Sequence, residues 1–292
     1  MGIIFVQVLF NFGVISVVQA VEIVRVKGSD TMVQISQAWS AEFNRKHPGV
    51  GVAVMGGGTG VGIAMLLNGQ IELANASREI TAQEIAQAKQ RGVALVQHVV
   101  AYDAIVSVMV HPDNPISLLK ISQLAEIYGE NPSITHWNQL GIVVPNCQSQ
   151  EIIIASRQNS SGTYAHFRNR IMGHSRDFRL NMIELQSTKD LVQFVGNTPC
   201  AIGYGGSSYL TSKVRPVCVT EQDSSACDLE KQNAFRAGSG SFISRPLYIY
   251  SVGEVADYAH LYLDWVTSKH GQCIAKARGY TPIMDITCTG RY

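Results

Sequence analysis

Strand-like apolar runs alternate with helix-like runs along most of the chain, and this alternation constrains the fold more than any other feature of the sequence. The first strand-like runs are 23–26, 50–55, 71–74 and 93–99. The helix-like runs between them are 31–44, 62–67 and 81–90. Such alternation is typical of α/β proteins, in which crossover helices join parallel strands. We therefore expect an α/β fold built on parallel sheets.

The pattern restarts after a turn-rich stretch with two prolines at 111–115, which follows a β-like run at 104–110. The strand-like and helix-like runs that come next are 116–128, 152–155, 164–171, 182–185, 189–195 and 201–204. Residues 205–242 are rich in Gly, Ser and short polar segments. A β-like run at 247–252 then leads into an amphipathic helix at 255–267.

This order predicts two interdigitated α/β domains joined by a hinge. A chain of 292 residues is long enough for two domains of about 130 residues each. We expect 21–106 together with 243–292 to form the first domain and 107–242 to form the second. A single domain is the alternative, and it explains the break at 111–115 less well.

Three polar turns join a strand-like run to a helix-like run. They are Gly-Ser-Asp-Thr at 28–31, the glycine-rich run at 56–62 and Arg-Gln-Asn-Ser-Ser-Gly-Thr at 157–163. A helix start presents unsatisfied N–H groups and the positive end of the helix dipole, which together bind anions. Ligands of open α/β sheets lie beyond the carboxyl ends of the strands, where all three turns fall. The turns therefore predict one anion pocket in the cleft between the domains.

The third turn carries the most specific chemistry. Arg157 offers a planar fork of donors suited to an oxyanion, Ser161 and Thr163 add short hydroxyl donors, and Gly162 lets a ligand approach the backbone. Each turn taken alone could be an ordinary helix cap or loop. The glycine-rich run lacks the Gly-Lys-Ser/Thr of a phosphate-binding loop and the downstream acid of a dinucleotide site.

With these motifs, the chain resembles the periplasmic phosphate-binding proteins of ABC transporters in their shorter form. The matching segments are the three turns, Ala-Asn-Ala-Ser-Arg at 74–78 and Ala-Ile-Gly-Tyr at 201–204, and they occur in the family's order. The resemblance implies a type 2 periplasmic-binding-protein fold that closes on phosphate. It implies the following ligands: Ser29, Thr31, Met32, Gly58, Thr59, Gly60, Ser77, Arg78, Arg157, Ser161, Gly162 and Thr163.

One position departs from the family pattern. Longer members of the family carry an acid after the serine at 77, where it accepts the proton of phosphate, whereas this chain has Arg78. Asp30 is the nearest candidate for a replacement acceptor. The departure affects the choice between phosphate and a sulfate-like oxyanion more than the oxyanion class itself.

Residues 1–20 are apolar and uncharged and end in Val-Gln-Ala, which predicts a signal peptide cleaved after Ala20 and a periplasmic protein. A buried N-terminal strand or helix is the alternative. The six cysteines are an even number, as expected of an exported chain with disulfides, and fifteen pairings are possible. Local separation suggests Cys218–Cys227 and Cys273–Cys288, which leaves Cys147–Cys200. Six unpaired thiols are the alternative for a chain that is not exported.

The remaining composition narrows the class of function. The net charge of +1 argues against nucleic acid as a partner, and the histidines form no metal-binding motif, so we expect no cofactor. A hydrolase using Ser160 or Ser161 lacks the Gly-x-Ser-x-Gly elbow, and a surface protein that merely keeps the fold is a further alternative. We expect a monomeric binding protein, not an enzyme, that passes inorganic phosphate to an ABC permease in the inner membrane.

Overall fold

Two β-sheets form the frame of the molecule, and the chain passes twice between them. The computed structural model describes residues 21–103, 106–173, 176–220, 245–290 and 292. The first sheet has the strand order β2-β1-β3-β11-β4. Its strands are β1 Glu22–Gly28, β2 Val50–Met55, β3 Leu73–Ala76, β4 Leu95–Asp103 and β11 Arg245–Val252. The last strand in the sequence, β11, therefore lies between β3 and β4 in the sheet.

The second sheet is built from the middle of the chain and has the order β6-β10-β5-β9-β7-β8. Its strands are β5 Val106–Val110, β6 Leu118–Lys120, β7 Ile153–Arg157, β8 Ile183–Leu185, β9 Ala201–Gly206 and β10 Arg215–Thr220. The chain thus enters this sheet after Asp103 and has returned to the first sheet at Arg245.

Helices accompany each sheet. The helices that belong with the first sheet are α1 Val33–Lys46, α2 Thr59–Leu67, α3 Ala82–Gln90, α7 Asp257–Thr267 and α8 Lys269–Ala277. The helices that belong with the second sheet are α4 Ile121–Tyr128, α5 Gly162–Met172 and α6 Thr188–Gly196. Short 3-10 turns lie at Asp30–Met32, Trp137–Leu140 and Ser207–Tyr209. We call the two sheets with their helices the first lobe and the second lobe.

Each lobe has its own apolar core. In the first lobe, Trp39 and Phe43 of α1 are fully buried, and the Trp39 Nε1–H donates to the Gly271 carbonyl at 2.7 Å, which joins α1 to α8. In the second lobe, Trp137 is fully buried and its Nε1–H donates to the Cys200 carbonyl at 2.9 Å. Separate cores allow each lobe to act as a rigid unit.

The predicted fold class, two interdigitated α/β domains, is confirmed. The expectation of parallel sheets is met only in part: β1, for example, pairs parallel with β2 and β3, but β11 pairs antiparallel with β3 and β4, and β5 pairs antiparallel with β9 and β10. Strands that follow a passage between the lobes are not joined to their neighbours by a crossover helix, so nothing imposes parallel pairing. The domain boundaries stay a prediction, and Val106, placed in the first domain, pairs with Gly206 in the second sheet.

The polar segment expected at 205–242 contains a strand, β10. Its short apolar run, with Pro216 inside it, carries little strand signal, and it is stabilised by pairing with β5 and β6 on either side. The final helix α8 was also not predicted, and α2 begins at Thr59, three residues before the expected start.

The disulfide prediction is met for two pairs, Cys147–Cys200 and Cys273–Cys288. Cys218 is also disulfide-bonded, whereas Cys227 lies outside the described residues, as does the predicted signal peptide. Within the described ranges, no helix is both long and apolar enough to cross a membrane.

The two described disulfides should differ in their contribution to stability. Cys147–Cys200 spans 53 residues of sequence and Cys273–Cys288 spans 15. Because loop-closure entropy grows with the length of the closed loop, the paired Ser variants should lower the free energy of unfolding by about 4 and about 3 kcal/mol, respectively. Urea unfolding of both variants measures this. A larger loss for the shorter loop would contradict the entropic account.

Candidate functional site

The three polar turns meet at the cleft between the lobes. The turns at 28–31 and 56–62 follow β1 and β2 of the first lobe, and the turn at 157–163 follows β7 of the second. The hydroxyls of Thr31 and Thr163 lie 2.7 Å apart, so the first and third turns are in direct contact. The Gly60 N–H donates to the Ser160 carbonyl at 3.0 Å, which joins the second turn to the third. The structure therefore brings the predicted turns together.

The glycine-rich turn is shaped by its backbone. Gly57 and Gly58 have φ values of 121° and 93°, a region that L side chains rarely occupy. The Gly57 N–H donates to Asp30 Oδ1 at 2.9 Å, and the Gly58 N–H donates to the Gly28 carbonyl at 2.9 Å. These bonds hold the turns after β1 and β2 against each other, and α2 then begins at Thr59.

Gly162 lies where the two lobes come into close contact. A Cβ built on this residue would lie 2.4 Å from Ser77 Oγ and 2.6 Å from Thr59 Oγ1. The first helix bond of α5 is donated by Ala165 to the Ser161 carbonyl, so the N–H groups of Gly162 and Thr163 have no intrahelical acceptor. The start of α5 thus presents backbone donors to the cleft.

Some predicted donors already have protein partners. The Met32 N–H donates to the Ser29 carbonyl at 3.1 Å, in addition to the Gly58 and Gly60 bonds described above. Ser161 Oγ accepts from the Tyr164 N–H at 3.3 Å, which is an ordinary N-cap, and its hydroxyl proton is left to donate elsewhere. These residues shape the site more than they supply free N–H groups.

Two buried hydroxyls do have unused capacity. Ser29 Oγ and Ser77 Oγ are inaccessible to solvent and have no hydrogen-bond partner among the described residues. Leaving a buried polar group unsatisfied costs about 1–3 kcal/mol, so such groups call for an acceptor or donor that the protein does not supply. Ser77 lies beside Thr59, whose Oγ1 accepts from the Ser77 N–H at 3.2 Å.

Arg157 is buried and links the lobes. Its Nη2 donates to Asp30 Oδ2 at 2.8 Å across the cleft and to the Gln186 carbonyl at 2.7 Å. Its Nη1 donates to Thr188 Oγ1 at 2.8 Å, and its Nε donates to the Leu185 carbonyl at 3.1 Å. Burial lowers the pKa of the guanidinium, while the Asp30 carboxylate opposes that shift. These bonds orient the guanidinium and leave the second Nη1–H for another acceptor.

The structure adds a buried charged pair that the sequence motifs missed, Arg245 with Asp103. The Arg245 Nη2 donates to Asp103 Oδ2 at 3.0 Å, to Thr31 Oγ1 at 3.1 Å and to Thr163 Oγ1 at 2.9 Å. Its Nη1 donates to the Ser77 carbonyl at 3.0 Å. Burial raises the pKa of the Asp103 carboxyl and lowers that of the Arg245 guanidinium. The only available sequence signal was that β11 begins where the chain returns to the first lobe.

Arg78 is placed differently from the other candidate residues. Its guanidinium makes a bidentate pair with Glu84, with two N–O distances of 2.8 Å, and donates to the Glu79 carbonyl at 2.9 Å. Burial alone would raise the pKa of the Glu84 carboxyl, but bonds from Arg78 and Thr81 lower it overall. The charge of Arg78 is thus balanced at the edge of the site.

The site combines hydroxyl and N–H donors with the guanidiniums of Arg157 and Arg245. Within the described part of the chain, no group of three or more His, Cys, Asp or Glu residues could hold a metal ion. The donors suit a small oxyanion held between the lobes, because such an anion accepts several hydrogen bonds at once.

Comparison with known proteins places the chain in a family. Residues 17–270 match the model of the PBP superfamily domain, and the chain belongs to that family. It is 28% identical to protein SphX of Synechococcus elongatus, over 89% of this chain and 77% of that protein. It is also 28% identical to the phosphate-binding protein PstS of Pseudomonas aeruginosa, over 88% of this chain and 81% of that protein.

A solved structure shows the same fold. It is a putative phosphate ABC transporter substrate-binding protein of Clostridium perfringens with bound phosphate, and it superposes with a TM-score of 0.75. The match has 24% sequence identity and covers 90% of this chain and 100% of that one. The two-lobed architecture is therefore the one on which these binding proteins are built.

Closure of the cleft should depend on the absence of a side chain at Gly162. In the Gly162→Ala variant the new methyl overlaps Ser77 and Thr59 of the opposite lobe, and opening of the cleft relieves that overlap. Small-angle scattering should therefore show a larger radius of gyration than in the unaltered protein. Gly60→Ala is the matched control, because its methyl would lie 3.6 Å from its nearest neighbours. An unchanged radius for Gly162→Ala would contradict the lobe contact described here.

Proposed function

We propose that this protein captures inorganic phosphate for an ABC-type importer, without chemical conversion of the ligand. The observation that carries the proposal is the convergence of three donor-rich turns on one cleft, with buried hydroxyls of Ser29 and Ser77 that lack protein partners. The relatives named for phosphate binding and the neighbour solved with phosphate support the same ligand. An ABC permease is proposed as the partner by analogy with that neighbour, whose description names an ABC transporter.

The roles in the proposed site follow from the contacts. Ser29, Thr31, Thr59 and Ser77 of the first lobe supply hydroxyls, and the start of α5 supplies the N–H groups of Gly162 and Thr163 with the hydroxyls of Ser161 and Thr163. Arg157 supplies positive charge through its remaining Nη1–H. Met32, Gly58 and Gly60 shape the turns, and Arg78 contributes a balanced charge at the edge. Two lobes that each hold donors would close around one anion.

The alternatives are another oxyanion and hydrolysis by a serine of the same turn. Ser161 acts as the N-cap of α5, which is a structural use of the side chain proposed as a nucleophile. Calorimetric titration of the purified mature protein with phosphate, sulfate and arsenate decides between the ligands. Binding of sulfate in preference to phosphate would replace the proposed ligand, and turnover of a phosphate ester would replace the proposed class.

Removal of the Ser77 hydroxyl should separate binding from stability. Because Ser77 Oγ has no partner among the described residues, Ser77→Ala should leave the ligand-free protein at least as stable as before. Phosphate affinity should fall about 10-fold or more, since a hydrogen bond to a charged acceptor is lost. Urea unfolding and calorimetric titration measure the two quantities.

Ser40→Ala is the control for that experiment. The Ser40 hydroxyl is buried away from the cleft and donates to the Val52 carbonyl at 2.7 Å. Its loss should lower the free energy of unfolding by about 1 kcal/mol and leave phosphate affinity unchanged. If Ser77→Ala instead behaves like Ser40→Ala, the Ser77 hydroxyl is not a ligand.

Export is part of the proposal, because a binding protein for an importer works outside the inner membrane. We expect expression in a bacterial host to yield a mature chain that begins at Val21, after removal of the apolar residues 1–20. Mass spectrometry of the purified protein gives its N-terminus directly. An exported chain that retains Met1 would refute the cleavage, and recovery of the intact chain from the cytoplasm would refute export.

A further inference from the structure

A second guanidinium lies at the centre of the cleft, on a strand that carries none of the recognised motifs. We propose that Arg245, the first residue of β11, binds the anion directly and is the second cationic ligand of the site in place of Arg78. This inference rests on the proposed function and assigns a further residue to the same site. It is argued from the position, the hydrogen bonds and the charge of Arg245.

The position of Arg245 is set by both lobes. Its side chain is only 3% exposed. A single nitrogen, Nη2, donates to Thr31 Oγ1 of the first lobe and to Thr163 Oγ1 of the second. Those two hydroxyls face each other at 2.7 Å and belong to two of the three turns. An anion that is held by both hydroxyls therefore lies next to this guanidinium.

Arg245 also has a donor to spare. Its Nε is buried and has no hydrogen-bond partner among the described residues, although Nη1 and Nη2 are both engaged. Ser77 Oγ is unpartnered in the same way, and the Ser77 carbonyl accepts from Arg245 Nη1 at 3.0 Å. Two residues that are in contact, Arg245 and Ser77, thus each bury a polar atom without a hydrogen-bond partner. An oxyanion supplies the acceptors that both groups lack.

The charges of the site point the same way. Arg157 faces Asp30 and Arg245 faces Asp103, so the buried groups sum to zero before an anion enters. Arg78 lies outside this set, because Glu84 pairs with it in bidentate geometry and its side chain is 17% exposed. A cation that is held in a bidentate pair and is partly open to solvent stabilises an anion less than a buried cation with an unpartnered donor does. Arg245, rather than Arg78, is therefore placed to stabilise the anion.

The test compares Arg245→Gln with Arg78→Gln by calorimetric titration with phosphate. Arg245→Gln should weaken binding at least about 30-fold, because an anion in a buried site loses a charged donor. Arg78→Gln should change the affinity less than about 3-fold, as expected for a paired charge at the edge. Equal effects of the two variants, or a larger effect of Arg78→Gln, would overturn the assignment.

Arg245→Gln leaves Asp103 buried without its cation, which can prevent folding. The double variant Arg245→Gln/Asp103→Asn removes both charges, and the single variant Asp103→Asn keeps the guanidinium while removing the carboxylate that competes for it. The double variant should fold and bind phosphate at least about 30-fold more weakly than the unaltered protein. Asp103→Asn leaves Arg245 without its carboxylate, so phosphate should raise the unfolding temperature of this variant more than that of the unaltered protein and should bind at least as tightly.

The outcomes separate this inference from the proposed function. A folded double variant that binds phosphate normally overturns the role of Arg245, and so does an Asp103→Asn protein with weakened binding. If the unaltered protein binds neither phosphate, sulfate nor arsenate, the proposed function itself fails. If the unaltered protein binds phosphate and only the variants that replace Arg245 lose phosphate affinity, both the function and the assignment stand. Circular dichroism and thermal unfolding establish that each variant is folded.

Discussion

The interaction on which the rest of the structure depends is the buried ion pair between Asp30 of the first lobe and Arg157 of the second, at 2.8 Å. Two buried charges are costly to desolvate, and their attraction offsets that cost only when the remaining donors and acceptors are also bonded. Here Gly57, Thr188 and the carbonyls of 185 and 186 complete the bonding. The relative placement of the lobes is therefore coupled to the shape of two turns at once.

The buried ion pairs also bear on how the cleft would bind an anion. An oxyanion that enters must compete with the carboxylates of Asp30 and Asp103 for the guanidiniums of Arg157 and Arg245. Each carboxylate already accepts a hydrogen bond from its arginine through Oδ2, so a proton on the ligand would share a carboxylate that is also paired with a guanidinium. The Arg78–Glu84 pair lies outside this competition. On the proposed assignment, anion choice would therefore depend on the charge balance inside the cleft more than on the residue at position 78.

A site feature could be predicted from the sequence when its residues are contiguous, and could not when its partners are distant in the chain. The three turns could be predicted because each is a contiguous strand–turn–helix segment whose chemistry is visible within seven residues. Arg245 could not, because its partners lie 82 and 214 residues away in the sequence and no motif surrounds it. The ligand role of Arg78 stays a prediction, and the motif around it did not show that its guanidinium pairs with Glu84. Glu84 also forms the capping box of α3 with Thr81, and because Arg78 bonds to Glu84, its guanidinium lies beside the start of that helix.

The location of Arg245 and Asp103 in the chain connects binding to closure. Asp103 is the last residue of β4, just before the chain passes to the second lobe, and Arg245 is the first residue of β11 after its return. The two residues are directly paired across these strands. A rotation of one lobe against the other would pivot near these two residues, because the first sheet ends its first passage at Asp103 and resumes at Arg245. An anion bound by Arg245 and by the hydroxyls of Thr31 and Thr163 would therefore act close to the pivot, where a small shift at the ligand gives a large movement at the rim.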